Sequence, residues 1–314
     1  MQNCRTPTKI GMISILIGMT TFTSVLSQDL DESAKQKRDE PIGFVSAATF
    51  NGPRLINGHS IEAPAKGAFQ LVISHRFGPL NDPFYTFFGM NQASFRFGFD
   101  YGVSKKLAVG IGRSSGFGGV APPPTFDFYV KYKLLIQTGG PKVMPVSVSI
   151  LAAAAIDTER WPDDGIPRTF ADRMYYTGQL LIARKFGERF SFQLMPTVIH
   201  RNLVTYPDQS NTLYALGLGG RLKITGRLAL TAEYYFNKPH SIGAGYFNPL
   251  AFGVDIVTMG HVFQIQLTNT MGFIEPQFIG RTEADFLLGT SAIRLGFNFS
   301  RVFGGEKEGG KGAP

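Results

Sequence analysis

Cysteine is all but missing from this sequence. The single one among 314 residues, Cys4, lies in the leader, so the rest of the chain has neither a disulfide nor a thiolate metal site. Beyond the leader, no apolar run reaches the length of a membrane-spanning helix. Tryptophan is as scarce, with one residue, whereas glycine (37), phenylalanine (28) and tyrosine (11) are abundant. The formal charge of +8 raises nucleic acid as a partner. The basic residues are scattered through alternating segments, however, without a basic helix, a zinc spacing or an RNP-like aromatic motif, and this argues against it.

What the sequence does have is alternation with a period of two. In Ala93 to Ser114, Phe95, Phe97, Phe99 and Tyr101 share one face, and Ser94, Arg96, Gly98 and Asp100 share the other. After Ser104, Lys105 and Lys106, the pattern resumes with Leu107, Val109 and Ile111 against Ala108, Gly110 and Gly112. This is a β-hairpin, aromatic or aliphatic on one side and polar or small on the other. A wall between lipid and a wet lumen accounts for both faces.

The same pattern recurs along the chain and predicts twelve strands. Besides the hairpin they are Gly67–Phe77, Phe126–Ile136, Val143–Ala155, Arg173–Phe186, Phe190–Val198, Leu213–Ile224, Arg227–Phe236, Ala251–Val257, His261–Asn269 and Ile293–Phe303. Connections alternate in length, short at Ser104–Lys106, Thr138–Lys142, Gly187–Arg189, Thr225–Gly226 and Thr258–Gly260, and longer between them. Short periplasmic turns and long external loops are the habit of outer-membrane barrels, with both termini periplasmic for an even strand number. The expected fold is all-β: a transmembrane antiparallel up-and-down β-barrel of about 12 strands, closed so that no edge is left unpaired in lipid. Pro145 and Pro196 fall inside two of these strands, where each removes a ladder hydrogen bond, so a bulge or a shorter strand is expected there.

Four segments follow. Arg5 and Lys9 precede an apolar stretch that ends at Val25-Leu26-Ser27, the pattern of a signal peptide over 1–27. Residues 28–66 are expected to be a periplasmic N-terminal segment, whose part from Pro41 either crosses the barrel mouth or enters the lumen as a plug. The barrel occupies 67–303. The Gly- and charge-rich end, 304–314, is expected to be a disordered tail.

Little of this reads as catalysis. Ser74 and His75 are adjacent on a strand and point to opposite faces, so they cannot form a catalytic pair. His200 and His261 lie at strand ends without metal-ligand spacing. Asp163–Asp164 suits either a calcium loop or, more commonly, a solvated turn. Gly217-Leu218-Gly219-Gly220 sits within a strand with no helix after it, which disfavours a nucleotide loop and leaves no cofactor signature. No enzymatic activity is therefore expected.

The lumen remains as the candidate site. Inward parity falls on Arg76, Arg96, Lys131, Lys133, Arg221, Lys223 and Arg294, against Asp100, Asp127, Glu233 and Asp255. If the lumen is open, this basic excess favours anions, with small solutes as partners inside and lipid outside. If the charges pair across a filled interior, the barrel is a structural or partner-binding scaffold instead.

The stretches RLINGHSIEAPAKGAFQLVISHRFG, FRFGFDYGVSKKLAVGIGRSS, YVKYKLL and GHVFQIQLTNT resemble an uncharacterised group of Gram-negative outer-membrane β-barrels classed as a domain of unknown function. The likeness covers Pro53 to Phe303. It implies a membrane barrel in the outer membrane and carries no catalytic or binding residues over to this chain.

Overall fold

The computed structural model describes residues 48–305 apart from 82, 118–121, 140–142, 162, 205–206 and 239–241. The expected signal peptide, the polar stretch after it and residues 306–314 of the tail lie outside the described residues. Twelve strands form one sheet: β1 (Ala68–Pro79), β2 (Ala93–Gly102), β3 (Leu107–Phe117), β4 (Thr125–Leu135), β5 (Ser147–Asp157), β6 (Met174–Phe186), β7 (Phe190–Arg201), β8 (Thr212–Lys223), β9 (Leu228–Asn237), β10 (Leu250–Thr258), β11 (His261–Thr268) and β12 (Arg294–Gly304). Each pairs antiparallel with its sequence neighbours, and β12 returns to β1 to close the barrel.

Closure leaves every strand with two neighbours, so no backbone edge faces lipid. The seam between β1 and β12 runs in register from Ala68↔Gly304 to Arg76↔Gly296, then shifts before Pro79↔Arg294. No helix among the described residues is long and apolar enough to cross a membrane.

The two faces follow the sequence alternation. Phe97, Phe99 and Tyr101 of β2 are exposed outward, while Ser94, Arg96, Asp100 and their neighbours are buried inward. The small residues of β3 have a steric reason to be small. A Cβ on Gly112 would stand 2.2 Å from the Arg96 guanidinium, and one on Gly110 would stand 2.2 Å from the Tyr129 ring. The two glycines let Arg96 and Tyr129 lie flat against the inner wall.

Strand ends lie within four residues of the expected bounds, and a proline explains the largest change. β5 begins at Ser147, not Val143, because Pro145 has no N–H to give the ladder and is left in the connection. The β4–β5 link is consequently longer than the expected turn at Thr138–Lys142; it is braced by an isolated bridge, Thr138↔Met144. Pro196 stays inside β7, facing outward, and the β6–β7 ladder skips from Gln179↔Thr197 to Ile182↔Leu194 around it.

Phe97→Arg would put a charge on the lipid face, at a cost that reaches about 2–4 kcal/mol at the bilayer midplane and falls toward the interfaces. Membrane-extracted, folded yield should fall well below that of Phe97→Leu. Equal yields for the two variants would contradict the outward register of β2.

Candidate functional site in the lumen

Nine of the eleven charged residues with inward parity are buried in the barrel: Arg76, Arg96, Asp100, Asp127, Lys131, Arg221, Glu233, Asp255 and Arg294. Lys133 and Lys223 share the parity but lie near the short-turn end and are only half-buried. The buried charges do not line an aqueous wall, because two segments of the chain itself occupy the interior.

The first is the stretch before β1. Residues from Thr49 to Glu62 form hydrogen bonds with inward side chains of eight strands, an arrangement possible only inside the ring. Glu233 on β9 accepts the backbone N–H groups of Ile56 (3.1 Å), Asn57 (3.3 Å) and Gly58 (3.0 Å). Lys131 on β4 donates to the carbonyls of Ser60 (2.9 Å) and Glu62 (2.8 Å). Arg76 on β1 donates to Asn57 Oδ1 (2.9 Å), and Asn298 on β12 donates to Ile56 O (2.9 Å). Gln193 on β7 both donates to His59 O (2.8 Å) and accepts from Ile61 N (2.7 Å). Asn51 bridges Arg221 on β8 (2.7 Å) to Asp255 on β10 (3.1 Å), and Gln264 on β11 donates to Leu55 O.

These partners are chemically matched. A peptide segment in a closed interior must satisfy its own N–H and C=O groups, and the inward Glu, Lys, Gln and Asn side chains supply acceptors and donors for them. The fit is also steric. A Cβ on Gly58 would fall 2.0 Å from the Tyr235 hydroxyl, and one on Gly219 would fall 2.5 Å from Leu55. Apolar side chains complete the seat: Phe50, Leu55 and Ile61 join Leu181, Met195, Ile199, Leu213 and Tyr235 in one buried cluster.

The second segment is the long β11–β12 connection, residues 269–293, which enters from the opposite end. Its helical turn Glu275–Phe278 is wholly buried. Ser94 donates to Met271 O (3.0 Å), Gln277 donates to Thr125 Oγ1 (2.7 Å), and Asn237 donates to Ile279 O (3.0 Å). Phe278 meets the Tyr235 ring edge-on at 5.3 Å. The two segments touch where Arg54 Nη1 lies 3.9 Å from Glu275 Oε1 and donates to Phe273 O at 3.4 Å.

Three of the inward cations, Arg96, Lys131 and Arg294, are engaged by the chain's own groups. Arg96 grips Asp127 through Nε (3.0 Å) and Nη2 (2.6 Å), the bidentate geometry of a strong ion pair. Lys131 caps carbonyls of the N-terminal segment. Arg294, at the long-loop end, donates to Asn269 O (3.1 Å) and Ala292 O (3.0 Å). Asp100 shares a hydrogen bond with the Tyr129 hydroxyl. These three cations therefore present no free anion-facing stripe in this state.

Sequence reasoning did not single out Arg201, the most buried arginine of β7, nor the amides Gln193, Gln264 and Asn298. Their inward parity was visible; that a peptide segment would need them was not. In the long loop after β5, Asp164 pairs with Arg168 through two contacts of 2.8 and 2.6 Å, which hold its carboxyl below the ordinary carboxylate range. That carboxylate already has its cation, which leaves Asp163 as the only unclaimed member of the calcium candidate.

The geometry defines a class: a membrane-bound β-barrel whose lumen is occupied by its own chain. The sequence matches the model of the membrane bound beta barrel domain (DUF5777) over residues 50–303, and the protein belongs to that family. No curated protein matches it. Solved structures similar to it include the NanC porin (8% identity, TM-score 0.45, covering 74% of this chain and 98% of that one). Others are the KdgM porin (7%, 0.47, 76% and 99%) and a bacterial polysaccharide outer membrane secretin (10%, 0.35, 76% and 99%).

Glu233→Ala should loosen the N-terminal segment, since three amides lose their acceptor at about 1–3 kcal/mol for each buried group left unpaired. A cysteine placed at Asn57 should then react with a membrane-impermeant maleimide faster than in the otherwise unchanged barrel. Unchanged labelling would show that Glu233 does not hold the segment.

Proposed function

We propose that this protein is an outer-membrane pore held shut at rest by its own N-terminal segment, with both termini on the periplasmic side. The supporting observation is the means of closure. A stretch of chain outside the wall threads the ring and is fastened to it largely through polar contacts. Water can replace such contacts when the segment leaves, because each is a hydrogen bond whose net worth is near 1 kcal/mol.

Burial of Phe50, Leu55 and Ile61 opposes withdrawal. At about 1.5–3 kcal/mol for each side chain, the apolar part alone favours the closed state by roughly 5–9 kcal/mol. Spontaneous opening is therefore rare, and the open state needs an input that pulls or replaces the segment. Withdrawal would release Arg76, Lys131 and Arg221 together with Glu233 and Asp255, and the basic excess would favour small anions.

The permanently closed scaffold is the second reading, and the inserted β11–β12 connection favours it by filling the other end. Conductance in planar bilayers separates the two. The intact barrel should be silent, and a variant lacking residues 49–62 should conduct steadily and prefer anions. In that variant, Arg76→Gln, Lys131→Gln and Arg221→Gln together should lower anion preference, most clearly at low salt, where screening weakens and the field reaches beyond the physiological ~8 Å. A folded but silent deletion variant would overturn the pore and leave the scaffold.

A further inference from the structure

The outer wall carries a feature unrelated to the lumen. Strand pairing sets Phe97, Arg113, Phe126 and Ile156 side by side on the lipid face of β2–β5. The next outward row, nearer the short turns, is Phe99, Ile111, Phe128 and Ala154. The row after that is Tyr101, Val109, Val130 and Ala152. Bulky side chains on β2–β4 thus give way to alanines on β5. The step leaves a groove of about 600 Å³ in the lipid-facing wall, floored by Gly110 and Ala152–Ala154.

Arg113 stands one row above this groove, toward the long-loop end. Its guanidinium lies 4.7 Å from the Phe126 ring centroid and donates once, to Ser114 O at 2.8 Å. Among the described residues no carboxylate pairs with it. A cation on the lipid side of a barrel is costly at the midplane and nearly neutral at the interface. Its row lies one residue inside the ends of β4 and β5, Thr125 and Asp157, on the side of the wall where those strands stop. The adjoining connection after β5 places Trp161 against Arg173 at 3.8 Å, an aromatic and basic pair of the kind that marks the interface.

We propose that this sector binds a phosphate-bearing lipid, with its phosphate on Arg113 and an acyl chain in the groove below. The planar fork of arginine suits two phosphate oxygens, and the stacked Phe126 ring holds the fork in place. The apolar groove gives the chain a fixed path along the wall. The lipid site does not depend on whether the lumen opens.

The test uses the full chain purified in a neutral detergent, with phosphatidic acid, the diacylglycerol of the same chains, and inorganic phosphate as separate probes, and binding read by native mass spectrometry. Phosphatidic acid should bind the unaltered protein at least about tenfold more tightly than either other probe. Arg113→Gln and Ala154→Phe should each weaken it by a similar factor, one by removing the charge and the other by filling the groove. Should Ala154→Phe fail to fold, Ala152→Leu serves in its place. Arg301→Gln removes an outward arginine stacked at 4.7 Å on Phe303 near the opposite end, and binding should be unchanged. Equal loss with Arg301→Gln would reveal general anion attraction and overturn the site. So would undiminished binding after Arg113→Gln, or inorganic phosphate or diacylglycerol binding as tightly as the phospholipid.

Discussion

A ring of twelve strands encloses more space than its inward side chains fill, and this constraint governs the rest of the molecule. Something must occupy the interior, and in a closed state it must bring no unsatisfied polar group with it. This barrel solves the problem with its own backbone. Glu233 answers three successive amides, Lys131 answers two carbonyls, and the amide side chains of β7, β11 and β12 complete the set. Residues that would make a wet wall in an open pore serve here as a mould for a peptide.

The second inserted segment changes what that mould means. The β11–β12 connection reaches inward from the opposite end and meets the first segment at Arg54 and Glu275. Tyr235 touches both, with its hydroxyl beside Gly58 and its ring against Phe278. Displacing one segment therefore exposes apolar surface on the other. The two inserted segments thus share Tyr235 as a common neighbour and meet directly at Arg54.

The architecture was legible in the sequence because a period of two is local. Phe95 to Tyr101 announce a lipid face, and Arg96, Asp100, Lys131 and Glu233 announce the other, without any knowledge of the fold. Connection lengths told which end is which relative to the turns, except where Pro145 moved a strand start. Partnership was not legible. That Arg96 spends its charge on Asp127, or Lys131 on two carbonyls, depends on residues far apart in sequence that meet only after closure. The stretch RLINGHSI reads as a polar connector with three aliphatic residues, and nothing within it states that Gly58 must pass under a tyrosine hydroxyl.

The same locality separates the inner site from the outer one. Inside, Arg96 is paired with Asp127, and Arg76, Lys131, Glu233 and Arg294 are held by neutral groups of the chain. Outside, Arg113 has one carbonyl and one ring, and its remaining donors face the surroundings. A guanidinium with donors left over can meet an anion from outside the chain. The inner charges therefore report how the barrel closes upon itself. Arg113 reports what the membrane places against it, and the alanine-floored groove beneath gives that contact a direction along the wall.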